Sequence, residues 1–188
     1  MRTVILVAIC GLCLGCPVGG ADGPSGTRYE GAFSGQLVDT TTSNGHMGGG
    51  EIVCYNTFSV AGTLTIDASV SGDDVTGLAR VRGTETETGK SGDPTCPLVG
   101  NRAFDVGPEI ASKASNLQFD GNASSASNAA FATTNRATFV GTLSGTVASG
   151  VLKWARHGAG TVGQSATSGG TSVQSDGSVS MSVTLTAR

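Results

Sequence analysis

The sequence predicts an all-β fold, an antiparallel barrel or sandwich of about eight strands with long Gly/Ser/Thr-rich loops. Three observations carry that expectation. Apolar residues return at every second position in stretch after stretch, the period of a half-buried strand. No apolar stripe of helical period runs beyond two turns after the first twenty residues, so little helix is expected. Glycine makes up 30 of 188 residues and charged residues only 13%, while valine, leucine and phenylalanine keep recurring. That recurrence separates the chain from the charged, apolar-poor sequences that stay disordered.

The strands can be placed in order. A first is expected near "RYEGAFSGQLV" (28–38) and a weaker one near "EIVCYNTF" (51–58). "VAGTLTIDASV" puts Val60, Gly62, Leu64, Ile66, Ala68 and Val70 on one face. "SGDD" then turns into "VTGLARVRG", with Val75, Gly77, Ala79, Val81 and Gly83 inside and Arg80 and Arg82 outside, which reads as a hairpin. Weaker strands fall near "NRAFDV" and "SNLQFDG". "ATFVGTLSGTV" carries the alternation through Phe139, Gly141, Leu143, Gly145 and Val147, and "ASG" is expected to turn into "VLKWARHG". The last strand presents Val179, Met181, Val183 and Leu185 on one side. Residues 40–50 and 158–177 read as long loops, either binding elements or mobile surface.

A short element, apolar-x-Gly-x-Leu, occurs at Phe33–Leu37, Val60–Leu64 and Phe139–Leu143, with the glycine facing inward each time. Glycine inside a strand marks sharp curvature or close approach of another backbone. These positions favour a tightly curved sheet.

The first residues have a different character. Arg2 precedes an uncharged stretch from Thr3 to Gly15, long enough for a signal-peptide core and too short to span a membrane. Within it Cys10, Cys13 and Cys16 stand at equal spacing in "CGLCLGC". A bacterial ferredoxin run would need its fourth cysteine at position 20, which is glycine. Instead "CLGC" after an apolar run resembles the lipobox of bacterial lipoproteins. The resemblance covers residues 1–16 and implies that Cys16 receives diacylglycerol and becomes the mature N-terminus. Ordinary cleavage after Ala21 is the alternative. The expected organisation is a signal peptide over 1–15, a flexible tether over 16–28 and a single β domain over 29–188. A tether of about 12 residues reaches roughly 19 Å.

Either cut removes Cys10 and Cys13. Cys54 and Cys96 then remain as a pair in an oxidising compartment, where a disulfide between them is expected. Two separate buried thiols are the alternative. A bridge would close a loop of about 43 residues, for roughly 4 kcal/mol by chain entropy.

Net charge is −3 and no basic cluster occurs, which argues against nucleic acid as a partner. His46 and His157 have no second ligand at zinc spacing and read as surface residues. Asp73 and Asp74 read as solvated turn residues rather than a metal site. No metal, cofactor or catalytic residue is expected. Glu85 and Glu87 keep the inward parity of Val81 and Gly83 if no bulge intervenes, which would bring two acids to a barrel mouth. The favoured reading is that the strand has left the sheet there or that a bulge flips its face. Trp154, the only tryptophan, reads as a core plug.

The chain is therefore expected to be an exported, lipid-anchored envelope protein on the periplasmic or surface side, with secreted soluble protein as the alternative. Its membrane contact would be the N-terminal lipid. Its role would be that of a small binding module for an unknown ligand, and not an enzyme. Such a module should show a concave apolar pocket with a few convergent polar groups. A structural or adhesive surface protein, the second reading, should have a filled interior.

Overall fold

A computed structural model describes residues 26–44, 50–94, 96, 100–128, 131–162 and 171–188. Cys10, Cys13, Cys16, His46 and most of the expected tether lie outside the described residues. Among the described residues nine strands follow one another: β1 (Thr27–Asn44), β2 (Glu51–Ser71), β3 (Asp74–Gly92), β4 (Arg102–Val106), β5 (Glu109–Lys113), β6 (Leu117–Asn128), β7 (Phe131–Ser144), β8 (Val147–Val162) and β9 (Thr171–Ala187). They form one antiparallel sheet in the order β4-β3-β2-β1-β9-β8-β7-β6, with β5 also paired to β3. From β1 to β4 and from β6 to β9 each strand pairs with its neighbour in sequence, and β1 pairs with β9.

β4 and β5 act as one edge strand. Val81 pairs with Val106 and Leu78 with Glu109 in the same register, so nothing is inserted between them. Pro108 interrupts the ladder because it has no N–H to give. Its carbonyl still accepts the Ala79 N–H at 2.8 Å.

Two glycine pairs let the sheet turn sharply. Gly62 lies opposite Gly83, and Gly141 opposite Gly150. A Cβ at Gly62 would stand 2.0 Å from the Arg82 carbonyl oxygen, and one at Gly141 2.2 Å from that of Ser149. Backbone occupies the space a side chain would need. Aromatic rings cover the bare backbone instead. Phe33, Gly62, Gly83 and Phe104 form a single row across four strands, and the two rings stack with centroids 6.3 Å apart. Phe139 covers the second pair, its Cζ 2.8 Å from where a Gly141 Cβ would be.

The sheet thereby curls into a half-barrel. Phe104 on the β4 edge reaches Trp154 on β8, with stacked rings 4.1 Å apart. The two edges meet along a seam that has no continuous ladder. There the Pro108 ring packs on Gly121, and a turn through the Lys113–Asn116 bridge joins β5 to β6. The interior is filled by Leu37, Phe58, Val60, Leu64, Ile66, Leu117, Phe139, Leu152, Trp154 and Leu185, each no more than 1% exposed. Tyr29 closes one end by donating its hydroxyl to the Gly145 carbonyl at 3.1 Å.

Several expectations change. The described parts of the tracts expected as long loops are strand apart from Gly50, while 45–49 and 163–170 lie outside the described residues. β1 runs on to Asn44, β8 to Val162, and β9 starts at Thr171, with Asn44 paired to Ser172 and Val162 to Thr171. Small residues there give little to bury, but a neighbouring strand supplies the ladder that periodicity alone cannot reveal. The turn expected at "ASG" lies at Gly145–Thr146, where Gly145 adopts a φ of 57°. β8 therefore starts at Val147, and its even positions face inward: Ala148, Leu152, Trp154 and Arg156 are buried.

Candidate functional site

The hairpins β1–β2, β6–β7 and β8–β9 all extend past the apolar core at the end away from Tyr29. On the inner face of this hairpin end the side chains become polar. One row crosses five strands: Asn135 on β7, Arg156 on β8, Gly177 on β9, Asp39 on β1 and Asn56 on β2. Gly177 bears no side chain, so nothing in the row separates Arg156 from Asp39. Guanidinium Nη1 lies 3.0 Å from Asp39 Oδ2. Both residues are buried, at 4% and 0% exposure.

Around this pair the other groups are placed by strand parity. Ser175, two positions from Gly177, donates its hydroxyl to Asp39, 2.7 Å from either carboxylate oxygen. Glu85 Oε2 stands 3.9 Å from Arg156 Nη1, and its Oε1 accepts the Trp154 Nε1–H at 2.6 Å. The Arg156 guanidinium lies 5.6 Å from the Phe58 ring centroid, within cation–π range. Glu87, half-buried, accepts from Asn56 Nδ2 at 2.8 Å and from the Gly100 N–H at 2.7 Å. Arg102, half-buried on β4, completes the group. Burial pushes its guanidinium below its ordinary value and the charge of Arg156 adds to that, while Glu85, Asp39 and Glu87 act in the opposite direction.

Four buried polar atoms here have no hydrogen-bond partner among the described residues: Thr133 Oγ1, Asn135 Oδ1, and Nε and Nη1 of Arg156. The contact of Nη1 with Asp39 is close in distance but lacks hydrogen-bond direction, so it acts as charge pairing alone. Asn135 is directly opposite Arg156 in the ladder, and Thr133 is two positions further along the same inner face. Buried polar groups in native proteins are nearly always paired, because an unpaired one costs about 1–3 kcal/mol. Four such atoms on adjacent positions of two strands are therefore a feature to be explained.

The Cys54–Cys96 disulfide lies at the same end, with Cα atoms 5.6 Å apart. Cys54 is the next inward position from Asn56. The bridge ties Cys96, beyond the end of β3, to β2.

The favoured reading of Glu85 and Glu87 is overturned. The strand stays in the sheet, and the register shift comes only beyond Glu87, between Thr57 and Phe58 of the partner strand. Glu85 faces inward and is 2% exposed. Trp154 is the core plug expected of it, with a bond to Glu85 besides. His157 is exposed with Nδ1 2.5 Å from Asp176 Oδ1. Asp73 accepts from the Ser115 N–H and hydroxyl, and Asp74 pairs with Lys113 at 2.6 Å, all exposed. The hollow apolar pocket expected of a binding module is absent along the described core, which side chains fill. Asp39, Arg156, Asn135, Thr133 and Ser175 were not singled out from sequence. A signal existed for two of them. Asp39 continues the inward parity of Phe33, Gly35 and Leu37, and Arg156 that of Leu152 and Trp154, so an acid and a base of opposite sign stood at inward positions.

No protein-family description matches the chain, and no curated protein is significantly similar to it in sequence.

Proposed function

We propose that this chain is an exported envelope protein, anchored through lipid on Cys16, whose β domain is a small binding module with its ligand site at the hairpin end. The observation that carries the binding reading is the buried polar cluster at the hairpin end, where Thr133 Oγ1, Asn135 Oδ1 and Arg156 Nε have no hydrogen-bond partner among the described residues. The anchor rests on "CLGC" after an apolar run. Both buried carboxylates serve as acceptors inside the fold, Asp39 to Ser175 and Glu85 to Trp154.

The second reading, a structural or adhesive surface protein, is favoured by the filled apolar interior. Native mass spectrometry of the full chain released gently from the envelope separates the two. A small-molecule adduct that Thr133→Val removes supports the module; protein without adduct supports the structural role. For the anchor, Cys16→Ser should move the chain to the soluble fraction, since one acyl chain binds marginally and two bind stably. An unmodified N-terminus at Asp22 would contradict lipidation.

A further inference from the structure

We propose that the outer face of the sheet carries a separate binding site, a groove between β1 and β3 that takes a small organic carboxylate of single negative charge on the paired guanidiniums of Arg80 and Arg82. This site lies outside the hairpin end and does not depend on what the polar layer there does.

The sequence holds no basic cluster, but the fold brings Arg28 of β1 to the same groove as Arg80 and Arg82 of β3. Thr63 and Thr65 of β2 form the floor. Thr65 lies between Glu30 and Arg80 in one row of the sheet, and Thr63 beside Arg82 and Asp105 in the next. Short side chains on the middle strand and long ones on both flanks leave a trough. Its walls stand on strands two spacings, roughly 10 Å, apart. The cavity measures about 670 Å³, within the roughly 300–1,000 Å³ of small-molecule sites. Its charged groups are accessible, unlike those of the buried layer: the Arg80 and Arg82 side chains are 52% and 59% exposed.

The β3 wall has the chemistry of an anion clamp. Asp105 accepts from Nε and Nη2 of Arg80 and from Nε of Arg82. One carboxylate thus holds two guanidiniums side by side and leaves one positive charge in excess. Arg80 Nη1 and both Nη atoms of Arg82 have no partner among the described residues. Guanidinium N–H groups match the two oxygens of a carboxylate in spacing and direction. The opposite wall sets the limit of one charge. Arg28 stands between Glu30 and Asp67 at 3.9 and 3.7 Å, and Arg188 reaches Glu30 at 3.5 Å from outside the groove. That wall has no positive charge to spare, so a second anionic group gains nothing there. The threonine hydroxyls can donate to or accept from polar groups on the body of the ligand. Arg136 and Asp120, elsewhere on the outer face, pair one to one with no charge in excess, and provide an internal control.

The experiment uses the full chain in a neutral detergent at low ionic strength, because exposed charges are screened by salt. The Nε–Hε resonances of Arg80, Arg82 and Arg136 are followed during titration with lactate and glucuronate, with the neutral methyl ester of glucuronate, and with succinate and inorganic phosphate. Both monocarboxylates are expected to shift Arg80 and Arg82 saturably while Arg136 stays in place, and the ester should shift none of them. In Arg82→Gln, read through Arg80, the apparent affinity should fall by about tenfold or more, the worth of a hydrogen bond to a charged group. A parallel shift of Arg136 would reduce the effect to general ionic strength and overturn the site. Tighter binding of succinate or phosphate than of the monocarboxylates overturns the single-charge class. No shift with any probe, or an Arg82→Gln protein that binds as the parent does, overturns the proposal.

Discussion

Trp154 and Glu85 are 69 positions apart, yet the indole Nε1 donates to the Glu85 carboxylate at 2.6 Å inside the fold. The bond spans the interior from β8 to β3. It joins the apolar core, through the Phe104 stack, to the polar layer above it. Hydrogen bonds to charged groups contribute about 1.5–3 kcal/mol. Trp154→Phe removes this donor and some packing volume together, so a loss of roughly 2–4 kcal/mol is expected. Glu85→Gln keeps an acceptor and should cost less than Glu85→Ala. Urea unfolding of the three variants measures the difference. Equal midpoints for Glu85→Gln and Glu85→Ala would show that the indole N–H gains nothing from its partner.

Asp39 and Arg156 make a different prediction because both are charged and buried. Removing one partner strands the other. Asp39→Ala should therefore cost about 3–5 kcal/mol. Replacing both at once, Asp39→Leu with Arg156→Met, should be much less damaging than the sum of the single changes, because an apolar pair carries no desolvation penalty. Chemical denaturation of the four proteins in a double-mutant cycle checks this. Additive losses would mean that the two residues do not depend on each other.

The fold class was legible because alternation is a local signal. Val75 to Val81 and Val179 to Leu185 declare their inner faces within a few residues, and Val75, Ala79, Val81, Met181, Val183 and Leu185 are buried as the pattern implies. Strand extent was less legible. Thr40 to Asn44 and Thr171 to Asp176 hold small polar residues whose strand state depends on one another across β1 and β9. The site was the least legible part. Arg156 meets Asp39 only because Gly177 lies between them in the register, and register between β8, β9 and β1 is a property of the whole sheet. Parity marked each residue as inward but could not say which inward residues would share a row.

On the outer face, Asp105 takes hydrogen bonds from Arg80 at 2.8 and 2.6 Å and from Arg82 at 3.0 Å. The Arg80 bond, aided by Arg82, holds its carboxyl well below the usual carboxylate range. Arg136 does the same, to a smaller degree, for Asp120. A depressed folded-state value contributes stability that is present above the unfolded value of about 3.9 and is lost as pH falls through the folded value. These pairs should thus remain intact at mildly acidic pH and fail only in strong acid. Both carboxylates are substantially exposed, so solvent and salt screening keep the contribution small. A carboxyl NMR titration should find Asp105 ionised well below the usual range, and Arg80→Gln should move it upward. An Asp105 that titrates normally in the parent would show that the contacts are not maintained in solution.

Gly141 tests why the sheet curves where it does. Valine has the better strand propensity, so propensity alone predicts that Gly141→Val stabilises the chain. The packing predicts the opposite. A Cβ at Gly141 would lie 2.2 Å from the Ser149 carbonyl oxygen and 2.8 Å from both the Gly150 Cα and the Phe139 ring. Two of these neighbours are backbone, which cannot swing aside as a flexible side chain could. The strands β7 and β8 would have to separate at the bend, and Phe139 would lose the bare surface it covers. Overpacking of this kind typically costs about 1–3 kcal/mol, with backbone contacts toward the upper end. Thr142, the next residue, faces outward and is exposed, so Thr142→Val should be near neutral. Urea midpoints of the two variants give opposite answers under the two accounts. A Gly141→Val protein as stable as its parent would mean that the strands part there at no cost, and that the bend does not depend on the paired glycines.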